Sequence, residues 1–228
     1  VAAQFLQRFP ESALFCDEVG LGKTIETGLV LRQLLLSGQV RRALILAPKS
    51  VLRQWQEELY EKFNLMIPRY DSGKFLDVDD QLYRCANSYT GDEVANPWDA
   101  CDLLLAGSQL AKRNDRRSQI LAARPWDLVI VDEAHHARRK DFKERIYRPN
   151  QLLSLLNELK ENHKASTFLL MTATPMQVHP LEVWDLLNVT GLSGRWAASE
   201  DAFLAFFEEL RRPFPDADWD FIFDMVQD

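Results

Sequence analysis

Five short runs along the chain are apolar at successive positions rather than at alternate ones: SALFC (12–16), ALILA (43–47), DLLLAG (102–107), DLVIVD (127–132) and TFLLMT (167–172). A strand with one wet face alternates apolar and polar residues. A run without alternation suits a strand covered on both faces, as in a parallel sheet. Longer segments between the runs carry helical spacing. Residues 23–37 close before Gly38, a residue suited to the position just past a helix end. Residues 51–63 keep Leu52, Trp55, Leu59 and Phe63 on one face, and residues 146–160 do the same with Leu152, Leu153, Leu155, Leu156 and Leu159. Strand and helix in alternation predict a three-layer α/β fold, a parallel sheet with helices on both faces and right-handed crossovers. The stretch 66–101, with Pro68, Gly73, Gly91 and Pro97, reads as a loop-rich insertion holding one short strand. After Pro180 helical patterns return over 181–189 and 200–211. The chain then runs into DADWDFIFDMVQD, an aromatic and acidic tail expected to pack on a neighbour. Residues 1–190 are therefore expected to form one α/β domain and residues 191–228 a helical extension.

Composition adds limits to this picture. With 228 residues, 46% hydrophobic and 27% charged, the chain is neither disordered nor membrane-embedded in profile. No apolar run approaches the ~20 residues needed to span a bilayer. The chain opens on Val1 without signal-peptide architecture and reads as a piece of a larger protein. Three scattered cysteines, Cys16, Cys85 and Cys101, suit a reducing compartment and no metal site; a cytoplasmic location is expected. The net charge of −7 argues mildly against nucleic acid. Basic residues nevertheless bunch at Lys112, Arg113, Arg116 and Arg117, and again at Arg138, Arg139, Lys140, Lys143, Arg145 and Arg148. Each cluster reads equally well as a solvated face.

The candidate chemistry falls at predicted strand ends, where parallel α/β sheets bind ligands. CDEVGLGKT (16–24) follows the first strand and opens a helix. It departs from the strict phosphate-loop pattern, with Asp17 where a glycine is usual, and alone it also reads as a tight turn. As a cradle, Asp17, Glu18, Gly20, Leu21 and Gly22 would wrap the phosphates. Lys23 would reach their β/γ oxygens and Thr24 would hold Mg²⁺. VIVDEAHH ends the fourth run: Asp132 suits a Mg²⁺ carboxylate, and Glu133 suits the group that orients or deprotonates the attacking water. Adjacent His135 and His136 do not make a metal pair, and His135 suits a hydrogen-bonding link to the next motif. That motif, TATP, places Thr172 and Thr174 at the end of the fifth run. Three such elements, in this order, favour a nucleotide cradle over a turn.

DEVGLGKT, DEAH and TATP resemble motifs I, II and III of superfamily-two helicases. LILAPKSVLRQWQEEL (44–59) is similar to motif Ia of the Swi/Snf-type DNA translocases, and the likeness continues through FNL (63–65), NPWDA (96–100), AGSQLAKR (106–113) and PWDLVIVDEAHH (125–136). The chain most resembles the bacterial, RapA-like branch of that family. The resemblance implies a RecA-like fold of the P-loop NTPase kind and the first of two such lobes. It implies ATP and Mg²⁺ at Lys23, Thr24, Asp132 and Glu133, with nucleotide-to-DNA coupling through Thr172 and Thr174. It implies contact of Lys49, Ser50, Ser108 and Gln109 with the backbone of double-stranded DNA. It admits RNA polymerase, or another DNA-bound complex, as a further partner. Trp55 reads as core rather than as a base-stacking residue. The family's adenine-contacting glutamine would lie upstream of Val1, Gln4 being too close to motif I. The second lobe and its arginine fingers, worth about 10³–10⁵ in rate, fall outside this sequence, so the fragment alone is expected to turn over little or no ATP. A strand-separating helicase and a non-hydrolysing nucleotide-binding module are the competing readings.

Overall fold

The computed structural model describes residues 1–16, 22–83, 96–140, 147–176 and 179–227. The five apolar runs become β1 (Ala13–Phe15), β2 (Ala43–Ala47), β5 (Leu103–Gly107), β6 (Trp126–Val131) and β7 (Ala165–Met171). All five lie in one sheet of order β1-β7-β6-β2-β5-β3-β4, and every pairing among them is parallel. These strands are largely apolar because both of their faces are covered. Leu44 and Leu46 of β2 point into one core with Val129, Val131, Phe168 and Leu170. Ala43, Ile45 and Ala47 point into the other with Leu128, Ile130, Leu169 and Met171. This period of two is the pleat read directly off the burial pattern.

The helices divide between these cores. α1 (Ala2–Arg8), α2 (Lys23–Leu36) and α3 (Leu52–Phe63) cover one face; α4 (Asn114–Ala122), α5 (Gln151–Glu161) and α6 (Leu181–Thr190) cover the other. α2 and α3 pack closely at Gly28, where an added Cβ would lie 2.2 Å from the Phe63 ring. α5 starts at Gln151 rather than 146, because Asn150 caps it by accepting the Leu153 N–H at 3.0 Å. The expected insertion differs in kind. It holds a hairpin of two strands, β3 (Arg69–Asp71) and β4 (Lys74–Leu76), instead of one. β3 joins β5 in parallel, and β4 returns antiparallel as the sheet edge, so the sheet is mixed at that margin. Cys101 is buried and disulfide-bonded, which removes the force of the inference from cysteine count to a reducing compartment.

α1, α4, α7 (Gly194–Ala198) and α9 (Trp219–Val226) were not legible as helices. In α4 only Ile120 is buried, too little for a readable apolar stripe. Beyond α6 lie α7, α8 (Glu200–Arg211) and α9, which share a small cluster of Phe206, Ile222 and Met225. Arg139 ties this region to the sheet. Its guanidinium donates to Asp185 of α6 at 2.9 and 2.6 Å and to Glu200 of α8 at 3.0 and 2.9 Å. Among the described residues, no helix is long and apolar enough to cross a membrane.

Candidate functional site

The carboxyl ends of β1, β6 and β7 lie side by side, so the turns that follow them open on one edge of the sheet. Gly22 adopts φ +88°, a conformation open to glycine, and immediately precedes α2. The first-turn N–H groups of that helix point outward with its positive end. Asp17, Glu18, Gly20 and Leu21 lie outside the described residues. The half-buried Lys23 and Thr24 line a cleft of about 500 Å³ together with Asp132 and Glu133, Gln54 and Trp55 forming the opposite side. Residues separated by more than a hundred positions thus share one cavity.

Asp132 directly follows β6 and is 9% exposed. Its backbone N–H donates to the Leu46 carbonyl at 2.8 Å, fixing the main chain. One carboxylate oxygen accepts the Glu133 N–H at 2.9 Å and the other accepts the Trp55 indole N–H at 3.0 Å. Burial pushes this carboxyl above the ordinary aspartate value, while the indole donation and the charge of Lys23 act the other way. Glu133 sits at φ +51°, ψ +50°, the left-handed region that non-glycine residues enter at a cost. The turn throws its side chain toward the cleft and toward His135, whose Nδ1 lies 3.2 Å from the Glu133 carboxylate. The same Nδ1 lies 3.0 Å from the Thr172 hydroxyl, which accepts the Thr174 N–H at 3.1 Å. Burial and the neighbouring His136 lower the His135 pKa below the usual imidazole value, against the pull of the Glu133 carboxylate. His135 Nδ1 thus lies within reach of both Glu133 and Thr172, and the Thr172 hydroxyl holds the Thr174 N–H. Among the described residues no group of three or more His, Cys, Asp or Glu could hold a metal alone.

Lys49 and Ser50 occupy an exposed 3₁₀ turn between β2 and α3; Ser108 and Gln109 open a 3₁₀ turn after β5, Gln109 exposed but Ser108 buried. The two turns touch: the Lys49 N–H donates to the Gln109 side chain at 3.2 Å. The Lys49 ammonium lies 3.6 Å from Asp71 in an exposed ion pair. A groove of about 430 Å³ begins at Ser108 and Gln109 and continues past Lys112, His136, Arg138 and Lys140. The basic clusters are split by this geometry. Residues 137–140 alternate, Ala137 and Arg139 inward, Arg138 and Lys140 outward. Arg117 is bound to Glu158 and Ser154, and Arg113 and Arg116 pair with Asp115. Lys143 and Arg145 lie outside the described residues. Among the described residues no carboxylate lines the groove.

Two long-range contacts escaped sequence reading, those of Trp55 with Asp132 and of Arg139 with Asp185 and Glu200. A buried indole N–H usually finds an acceptor, although those of Trp98 and Trp126 do not; that tendency was the available signal for Trp55, and it could not name Asp132.

Comparisons with known proteins agree with this architecture. The family model of the SNF2-related domain matches residues 4–214. The RNA polymerase-associated protein RapA of Actinobacillus pleuropneumoniae serotype 3 is 35% identical over 178 residues, covering 78% of this chain and 17% of that protein. RapA of Pseudomonas savastanoi pv. phaseolicola is 35% identical over 179 residues, with the same coverage. This chain thus spans 17% of the length of these relatives. The Sulfolobus solfataricus SWI2/SNF2 ATPase core in complex with dsDNA superposes with a TM-score of 0.61 at 19% identity, over 90% of this chain and 37% of that one. The helicase domain of Pyrococcus furiosus Hef gives 0.57 at 18% identity, over 85% and 36%. These likenesses identify the sheet and its flanking helices as the RecA-like α/β fold. With a family match over nearly its whole length, the chain belongs to the SNF2-related domain family.

Proposed function

We propose that this chain is the first nucleotide-binding lobe of an ATP-dependent translocase on double-stranded DNA, with residues 1–190 as the lobe and 191–228 as a helical extension. The convergence of Lys23, Thr24, Asp132 and Glu133 on one cleft carries the reading. Asp17, Glu18, Gly20, Leu21 and Gly22 complete the proposed loop around the phosphates. Lys23 balances charge on the β/γ oxygens, and the N–H groups opening α2 receive phosphate oxygens. The residues fit a magnesium ion: the Thr24 hydroxyl and the poorly solvated Asp132 carboxylate, on one cleft, would hold it as hard oxygen ligands. Bound there, Mg²⁺ would neutralise charge developing on the transferred phosphoryl group. Glu133 aligns the attacking water and accepts its proton. His135, in contact with both Glu133 and Thr172, relays the state of that carboxylate to the loop carrying Thr174.

Double-stranded DNA is the proposed partner along Lys49, Ser50, Ser108, Gln109 and the groove that continues past Lys112, Arg138 and Lys140. The groove offers cations and short polar donors with no carboxylate in its described lining, the chemistry of sequence-independent phosphate contact. The RapA relatives are named for association with RNA polymerase, which supports a DNA-bound complex of that kind as a partner of the full-length protein. A second lobe supplies the arginine fingers, so the isolated lobe turns over little or no ATP. Replacing Glu133 with Gln in the full-length protein tests the reading. ATP affinity should persist while turnover falls by at least about 10²-fold. Unchanged turnover would remove Glu133 from the reaction and leave a binding module.

A further inference from the structure

Trp55 joins the two proposed sites. Its indole N–H meets Asp132 at 3.0 Å with the ring 3% exposed. Trp55 stands on the first turn of α3, and the 3₁₀ turn Lys49–Val51 runs directly into that helix. At the other end of this segment the Lys49 N–H is held by Gln109, at the mouth of the basic groove. A continuous path therefore leads from Gln109 through the Lys49–Val51 turn and the start of α3 to Asp132.

We infer that Trp55 is the positioning residue for Asp132, fixing its carboxylate for the metal–nucleotide and transmitting occupancy of the groove to it. The inference rests on the functional reading above. The physical reason is geometric. A carboxylate at the end of a strand can rotate about its side-chain bonds, and the Glu133 N–H pins only one of its oxygens. The indole pins the other from a separate helix. The indole is a donor only, so it favours the ionised acceptor a cation needs. Because α3 begins where the proposed DNA contact sits, a shift of the 49–51 turn moves the donor. A rigid first turn carries that displacement without a loop to absorb it.

Trp55→Phe keeps the ring and deletes the N–H. In the full-length protein, nucleotide affinity is measured by calorimetry with and without Mg²⁺. Wild type should gain affinity from Mg²⁺. W55F should keep its metal-free affinity and lose about 10-fold of that gain, the scale seen when a hydrogen-bond partner of a metal ligand is removed. Leu59→Val, on the same helix and fully buried, should lower stability and leave the Mg²⁺ gain intact. An unchanged gain in folded W55F overturns the inference while leaving the cleft assignment standing. Absence of any gain in wild type instead overturns the metal reading and the inference with it. Should W55F fail to fold, the Trp55 indole resonance of the wild-type protein decides. It should shift when duplex DNA is added without nucleotide, and a static resonance refutes the path.

Discussion

Two buried aspartates in this domain have opposite surroundings. Asp185 is 1% exposed and takes two bonds from the Arg139 guanidinium, which also holds Glu200. Its charge is met by an opposite charge within the fold, and the two carboxylates hold Arg139 firmly protonated. Asp132 is almost as buried, yet the donors that meet its carboxylate are two neutral N–H groups, with the charge of Lys23 acting across an open cleft. The first aspartate is compensated from inside and serves to dock α6 and α8 on the segment after β6. The second faces a cavity and meets neutral N–H groups, surroundings that fit the proposed cation-holding role. Burial alone does not separate structure from function. What differs is the partner, a guanidinium in direct contact for Asp185 and neutral N–H groups beside an open cleft for Asp132.

Breaking the compensated pair should have the largest effect. Arg139→Ala leaves Asp185 buried without its counter-charge, and the fold should lose about 3–5 kcal/mol, read from the urea midpoint of the full-length protein's SNF2-related domain. A loss below about 1 kcal/mol would mean that the buried pair carries no structural weight. Asp132→Asn should behave in the contrary way, abolishing the Mg²⁺-dependent gain in nucleotide affinity with little loss of stability. Its pH dependence sharpens the contrast. The folded Asp132 pKa lies above the unfolded one, so the folded state holds the proton more tightly. The wild-type fold therefore loses stability as pH rises from the ordinary aspartate range through the folded value, and levels off beyond it. D132N has no such group, so its stability relative to wild type should climb over that window; a flat difference contradicts the burial argument. The smallest stability effect belongs to the outward-facing cations. K112E with K140E should leave the unfolding midpoint in place and reduce the salt slope of duplex-DNA binding by about 1 for each phosphate no longer neutralised. Charge reversal at Arg139 should instead unfold the domain, and equal outcomes at Arg139 and Lys140 would contradict the in–out alternation over 137–140.

That alternation explains why the RRK run resisted sequence reading. Adjacent identical arginines, 138 and 139, differ only in which side of an extended segment they occupy, and nothing local records which side meets Asp185 and Glu200. The same holds for the hairpin β3–β4. Its strands, Arg-Tyr-Asp and Lys-Phe-Leu, carry charged residues that break any apolar run, and β3 is held by pairing with β5.

Legibility was greatest where the demand is local or repetitive. Runs such as ALILA and VIV must be apolar at each position because both faces of their strands are covered, so the layered α/β fold was readable from the pattern alone. The Gly22-Lys23-Thr24 and Asp132-Glu133 motifs were readable because strand ends in such a fold face ligands. Partnership across the chain was another matter. Trp55 with Asp132, Lys49 with Gln109 and Arg139 with Glu200 are hydrogen bonds between residues far apart in sequence. Each depends on helix packing angles and strand order, which arise from the summed fit of two cores and leave no mark on the residues taken singly.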